Sequence, residues 1–313
     1  MFWTEGMLCV LIALLLDGIF GEPSWLWRKV THPAILMGRV VSWLDSTLNT
    51  DTQQTDRTRR ARGIVALIAM VLTAGGIGLI ISALPLGAVW STLIAAILIA
   101  QRSLCDHVAA VGTGLQKNIE TGRTEVAKIV GRDTGALDET GVARAAIESG
   151  AENFSDGIVA PVFWFVVAGL PGILIYKMVN TADSMIGYRN EKYLAFGWAS
   201  ARFDDLLNLI PARLSACLIA LQSLSLKPIK AALRDASLHR SPNAGWPEAA
   251  MAACLDTSLS GPRIYEGKAT EDPYVWPEGR RALFASDVQA SVRILWRSWA
   301  VILIATALAM ALS

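Results

Sequence analysis

GIVALIAMVLTAGGIGLIISALPLGAVWSTLIAAILIAQ fills positions 63–101, between Arg62 and Arg102, and its 39 residues carry no charge. A helix crosses a hydrocarbon core about 30 Å thick in about 20 residues. The stretch is therefore long enough to cross twice, and Leu84-Pro85-Leu86-Gly87 supplies a turn between the two arms. This predicts a transmembrane hairpin with arms at 64–84 and 87–101. Two buried helices of a water-soluble core would show polar residues at helical spacing on an outer face, and Ser, Thr and Gln are too few for that.

The rest of the chain agrees with a membrane reading. Only 18% of the 313 residues are charged and 53% are apolar, which excludes a disordered chain and a disulfide-stapled secreted module. Lys plus Arg (28) nearly balances Asp plus Glu (27), so no global field attracts nucleic acid, and no nucleic-acid partner is expected. Cys9, Cys105, Cys217 and Cys254 are far apart with no CxxC spacing and read as small buried thiols.

Further apolar segments lie at 4–21 and 295–313, both expected to span, and at 158–176 and 206–226, which either span or re-enter. The stretches 102–156 and 227–294 read as soluble helical segments, because strand alternation is scarce. The fold class is thus all-α, a polytopic membrane helical protein with structured helical loops, in one integral-membrane domain. The N-terminal run has no Lys or Arg before Arg28 and no small-residue cleavage pattern after Phe20, so it is expected to stay in the mature protein. Basic residues between it and the hairpin place the N-terminus outside. Charge counting then puts 177–205 outside. Pro161, Pro171 and Arg213 argue instead that 158–176 and 206–226 enter from the cytoplasmic side without crossing, or pack as buried helices.

Polar strings border these apolar segments. In Arg144-Ala-Ala-Ile-Glu148-Ser-Gly-Ala-Glu152-Asn153-Phe-Ser-Asp156-Gly157, four-residue steps on a helix put Glu148, Glu152 and Asp156 on one face. Carboxylates so placed repel one another unless a cation or polyphosphate-bound magnesium neutralises them. A solvated acidic face with Arg144 paired to Glu148 explains the same spacing. Asn180-Thr-Ala-Asp183-Ser-Met-Ile-Gly-Tyr188-Arg189-Asn190 follows the proline-bearing segment, and Asp204-Asp205 with Arg213 opens the next. Ionisable groups entering a membrane segment are functional candidates, with boundary snorkelling as the plain alternative for lysines. His32, in Thr31-His32-Pro33, and Asn243-Ala-Gly-Trp246-Pro-Glu248 are further candidates. For a lone histidine a structural role competes, and Trp246 could equally pack or stack. The common P-loop, dinucleotide, G-x-S-x-G and H-E-x-x-H signatures are absent.

These strings, taken in order, resemble the adenosylcobinamide-phosphate synthase family of cobalamin biosynthesis, called CobD or CbiB. The resemblance rests on Asp17-Gly-Ile-Phe-Gly-Glu-Pro with His32-Pro33, on 143–157, on Asn180-Thr-Ala-Asp-Ser-Met-Ile-Gly-Tyr-Arg-Asn-Glu, on Asp204-Asp-Leu-Leu-Asn-Leu-Ile-Pro-Ala-Arg, and on Ser241-Pro-Asn-Ala-Gly-Trp-Pro-Glu-Ala-Ala. It covers effectively the full chain, with Gly150 as one departure, where the family string has a bulkier residue. It implies a multi-pass bacterial inner-membrane enzyme that uses ATP and Mg2+ to join adenosylcobyric acid, a corrinoid, to aminopropanol phosphate or aminopropanol. The product would be adenosylcobinamide phosphate or cobinamide. Membrane lipid and other corrinoid-pathway enzymes would be its partners.

Under that implication Glu148, Glu152, Asp156 and Asp183 supply catalytic and metal contacts. His32, Asn153, Asn180, Tyr188, Arg189, Asn190, Asp204, Asp205, Arg213, Asn243, Trp246 and Glu248 bind substrate. Two other classes fit the residues. An intramembrane Mg-dependent prenyl- or phospho-alcohol transferase would need a lipid diphosphate and no ATP. A non-enzymatic membrane sensor would have little use for so many acids and amides beside apolar segments.

Overall fold

The computed structural model describes residues 2–51, 54–131, 133–265 and 268–312. Ser313, the last residue of the expected span 295–313, and Arg132, Glu266 and Gly267 within the expected soluble segments lie outside the described residues. Helix dominates. In chain order the helices are α1 (Phe2–Phe20), α2 (Ser24–Trp27), α3 (Pro33–Leu48), α4 (Asp56–Ala83), α5 (Gly87–Leu98), α6 (Gln101–Lys117) and α7 (Ile119–Val126). There follow α8 (Glu139–Phe154), a π-helical turn (Ser155–Val159), α9 (Ala160–Ile186), α10 (Trp198–Leu207), α11 (Leu209–Ala220), α12 (Lys227–Asp235), a 3-10 turn (Ala236–Leu238), α13 (Gly245–Leu255) and α14 (Ala285–Leu312).

Among the described residues four helical stretches are long and apolar enough to cross a membrane: Asp56–Ala83, Gly87–Lys117, Glu139–Ile186 and Ala285–Leu312. The hairpin turn at Leu84-Pro85-Leu86 falls where the sequence puts it, with Leu86 in the left-handed region at φ 60°. The C-terminal helix starts at Ala285, ten residues ahead of the expected 295. The segment 206–226 holds no single long helix. It breaks at Asn208, and α11 has 12 residues, about 18 Å of rise, too little for a hydrocarbon core of about 30 Å.

Within 227–294 the helical expectation missed two small antiparallel pairs. Leu259–Ser260 pairs with Tyr274–Val275, and Arg263–Tyr265 pairs with Lys268–Thr270. Strands this short leave no alternation to read.

The chain divides into two compact units. One comprises residues 1–100, 160–208 and 306–313, the other 101–159 and 209–305. In the first, α4 packs on α9, and the small residues Ala66, Ala74 and Gly78, with Met70 between them, recur at four-residue steps and are buried. A Cβ on Gly78 would stand 2.6 Å from Pro171 Cα, so only glycine permits this approach. The opposite face exposes Ile68, Leu72, Leu79 and Ile80, as a lipid-facing helix does. Helix α9 is broken where its sequence carries glycine and proline: Ala168 and Gly169 are non-helical, with Gly169 at φ 62°, just ahead of Pro171. Beyond the break Tyr176 and Val179 build a core with Ala160 and Leu207.

In the second unit α8 is buried along most of its length, from Val142 to Ala151 except Arg144. It packs against α6, α7 and α13. Alanine, serine and glycine on α8 and α13 keep the helices close, which is how a segment of modest hydropathy is buried along most of its length.

Candidate functional site

Helix α8 begins at Asp138, whose Oδ1 accepts from Gly141 N at 2.7 Å. Nearly three turns on, Glu148 is buried and its Oε1 accepts from Ser260 N at 2.6 Å. Glu152 and Asn153, one turn further, are exposed. Ser149 donates from Oγ to Ile129 O at 2.8 Å, and Asn153 Nδ2 donates to Ser149 O and Oγ at 2.9 and 3.1 Å, so the Asn153 amide is fixed.

These side chains line a cavity of about 190 Å³ whose other wall is Ile129, Val130, Gly131, His239 and Glu248. The Ser241–Glu248 string builds that wall. Ser241 Oγ accepts from the N–H groups of Asn243 and Ala244, each at 3.2 Å, and Ser241 N donates to His239 Nδ1 at 3.0 Å. With Nδ1 an acceptor, the neutral ring carries its proton on Nε2, which lies 3.5 Å from Glu248 Oε1. Helix α13 starts at Gly245, where a Cβ would stand 2.2 Å from Ala236 O, so the string can close only with glycine there.

Beside Glu248 on the same string, Asn243 and Trp246 hold Arg213. Arg213 Nη1 donates to Asn243 Oδ1 at 2.8 Å and to Leu209 O at 3.0 Å, and its guanidinium carbon sits 4.5 Å from the Trp246 ring centre. The guanidinium is thereby held in one plane, suited to a phosphate or carboxylate. Trp246 stacks rather than merely packs.

Asp156 is not among the cavity residues. It lies on the π-helical turn at Ser155–Val159 that follows α8. Nor is Arg144 turned along its own helix: it donates to Ser258 O at 3.3 Å and Arg281 O at 2.8 Å and lies 5.6 Å from the Tyr274 ring centre. That makes it a strut between α8 and the loops of 256–284.

The remaining candidates fall in the first unit. Asp204, on α10, accepts from Asn180 Nδ2 at 3.3 Å and from Asn208 Nδ2 at 3.0 Å, and Tyr176 donates to Asn208 Oδ1 at 3.0 Å. Burial, then the neighbouring Asp183, pushes the Asp204 carboxyl up to about 7, against the two amide donors. Asp205 is also raised by burial, opposed by Arg202, to which it is paired at 3.2 Å, and by Arg189. Tyr188 and Arg189 are exposed, whereas Asn190 accepts from Tyr193 N at 3.0 Å and so shapes the turn. Lys192 sits on Asp45 at 2.9 Å, an ion pair rather than boundary snorkelling.

The structure also shows Arg59, which the sequence reading left aside, buried and donating to Asn49 Oδ1 and to the carbonyls of Glu191 and Lys192. His32 caps α3, its Nδ1 accepting from Ala34 N at 3.1 Å, and packs edge-on against Trp27; burial lowers its pKa.

Among the described residues no group of three or more His, Cys, Asp or Glu side chains is placed to hold a metal ion alone. Asp183 belongs to the other compact unit than Glu148, Glu152 and Asp156. The oxygen donors of Glu148 and Glu152 still suit magnesium, which commonly takes one or two carboxylates and fills its octahedron with water and substrate phosphates. No local pattern in the sequence marks His239; only its folding back onto Glu248 sets it apart.

An all-helical protein of membrane-spanning type, with acids and amides held beside its apolar helices, is the class these features define. Residues 10–295 match the family model described as CobD/Cbib protein. The cobalamin biosynthesis protein CobD of Rhizobium meliloti (strain 1021) is 46% identical over 98% of this chain and 97% of its own length. The protein of that name from Brucella suis biovar 1 is 46% identical over 91% of each chain. That from Rhodobacter capsulatus is 48% identical over 85% of each. No solved structure matches the chain. The chain belongs to the CobD/Cbib family.

Proposed function

We propose that the protein is an ATP-dependent amide ligase of cobalamin biosynthesis, set in the bacterial inner membrane, which joins adenosylcobyric acid to aminopropanol phosphate or aminopropanol. Family membership supports the pathway. The observation that carries the chemistry is the cavity where Glu148, Glu152, Asn153, His239 and Glu248 converge.

A carboxylate is a poor acyl donor. In the proposed reaction an oxygen of the corrinoid carboxylate attacks the γ-phosphorus of ATP, ADP leaves, and an acyl phosphate forms. The amine nitrogen then attacks the acyl carbon, and phosphate leaves with the C–O bond electrons. The amine reaches the protein as an ammonium and must first lose a proton, which a carboxylate lining the cavity accepts. Three carboxylates around one cavity both attract that ammonium and lower its freedom to turn. Arg213, held by Asn243 and Trp246, is suited to grip a phosphate or carboxylate oxygen pair. Magnesium, bound through Glu148 and Glu152, would neutralise nucleotide phosphate charge. Asp204, with Asn180 and Asn208 on its oxygens, is a second polar site, and its role in the reaction is tested separately below.

The test is direct. Purified protein in detergent is incubated with adenosylcobyric acid, ATP, magnesium and either amine, and the corrinoid is identified by mass. An amide product with release of ADP is expected; no amide with either amine would end the ligase reading.

A further inference from the structure

Helix α11 buries Ala212, Ser215, Ala216 and Ile219 and turns the other face outward. On that face Ile210, Leu214, Cys217 and Leu221 follow at steps of four, three and four residues, and all are exposed. The stripe does not stop with the helix. Leu224 is fully exposed in the following loop, Leu226 is 71% exposed, and Leu233 on α12 is 68% exposed. Lys227 and Lys230 share the outward face of α12 with Leu233, while Pro228, Ala231, Ala232 and Asp235 are buried. Single exposed leucines are ordinary, but exposed apolar residues recurring throughout 210–233 are not.

We propose that this stripe, from Ile210 to Leu233, is an interfacial membrane-docking surface that lies along the headgroup and acyl boundary of an anionic bilayer. Three features select lipid as the occupant. The chain carries helices long enough to cross a membrane, so on that reading a bilayer is already beside it. Leu224 projects fully from a serine-bearing loop between the exposed Leu221 and Leu226, a shape suited to fluid hydrocarbon and poorly suited to a fixed protein socket. Lys227 and Lys230, between Leu226 and Leu233, match the negative charge of anionic headgroups.

Depth follows from the same residues. Twelve residues of α11 rise about 18 Å and cannot cross. Ammonium groups at 227 and 230 would be costly in the hydrocarbon centre. The leucines therefore reach about 5–10 Å below the headgroups while the lysines stay at phosphate level. The segment 206–226, which the sequence leaves as spanning or re-entrant, would then do neither.

The test uses full-length protein with Cys9, Cys105, Cys217 and Cys254 replaced by serine, reconstituted in phosphatidylcholine with or without phosphatidylglycerol. Single spin labels are placed at Leu224→Cys, at Leu72→Cys on the exposed face of α4, and at Glu120→Cys on α7. Accessibility to oxygen and to a water-soluble nickel chelate is compared. The Leu224 label should favour oxygen, as the Leu72 label does, and should sit deeper when phosphatidylglycerol is present. Lys227→Gln with Lys230→Gln should abolish that lipid dependence.

A Leu224 label that meets nickel as freely as the Glu120 label overturns the inference. So does one shielded from both reagents, which would mean contact with another protein or a second copy. No lipid dependence in the unsubstituted background would remove the anionic headgroup from it. If the Leu72 label itself fails to favour oxygen, the membrane reading falls and this inference with it. Activity is not the readout, so failure of the ligase reading leaves these results unaffected.

Discussion

Replacing Arg213 by lysine keeps the charge and removes the plane. The guanidinium lies 4.5 Å from the Trp246 ring centre and bonds Asn243 Oδ1 at 2.8 Å. Loss of the stack costs about 0.5–1 kcal/mol at a partly exposed position. The charged hydrogen bond adds about 1.5 kcal/mol at most, since lysine recovers part of it. Arg213→Lys is therefore expected to lower stability by about 1–2 kcal/mol, a fall of roughly 1.5–3 °C in melting temperature.

A lysine also grips an anion through one point instead of two. Losing one charge-assisted bond in the transition state is expected to reduce kcat/KM by about 10- to 100-fold. The assay pairs a thermal melt in detergent with the corrinoid mass assay, and turnover is expressed per folded molecule. If stability falls while that turnover is unchanged, Arg213 is only a strut for the Ser241–Glu248 string, and its role in substrate binding is refuted.

Glu152→Gln should leave the melting temperature within about 1 °C, because an exposed carboxylate contributes little to stability, yet reduce turnover sharply at limiting magnesium; near-normal turnover there would show that the acid is merely solvated. Asp204 is raised to about 7 by burial and Asp183, so in the folded protein it holds its proton more tightly than when unfolded. Its stabilising effect is full below the usual carboxylate range and is lost as pH rises through about 7. With a chelator present, the wild type should melt higher at about pH 5 than at about pH 8, and Asp204→Asn should shrink that difference; an unchanged difference would acquit Asp204. A turnover loss in the same variant would add a catalytic cost to the gain in stability. Gly150 faces ordinary contacts, since a Cβ would stand 3.4 Å from Val108 Cγ2 and 3.6 Å from Leu295 Cδ1. Gly150→Ala should therefore stabilise α8 by about 0.5–1 kcal/mol, seen as a higher melting temperature with turnover retained.

The amino-acid sequence alone determined the helical class, the hairpin turn at Leu84–Gly87 and the positions of the strings that mark the family. Each is local: an uncharged run, a proline beside a glycine, or a polar string is complete within a few turns of chain. Glu148 and Glu152 were legible for that reason, since four-residue spacing fixes a shared face while the helix stays α-helical. At Asp156 the winding has changed, from Ser155 on, and nothing in Ser155-Asp156-Gly157 announces a π turn. His239 and Glu248 lie nine positions apart, and their pairing depends on the loop that Ser241 closes by accepting two backbone N–H groups. Arg144 illustrates the same limit from the other side. Its obvious partner one turn away, Glu148, is where helix periodicity points, yet the guanidinium reaches carbonyls at 258 and 281. Tertiary structure decided these contacts because they join residues far apart in the chain, and their energy depends on burial that no local pattern encodes.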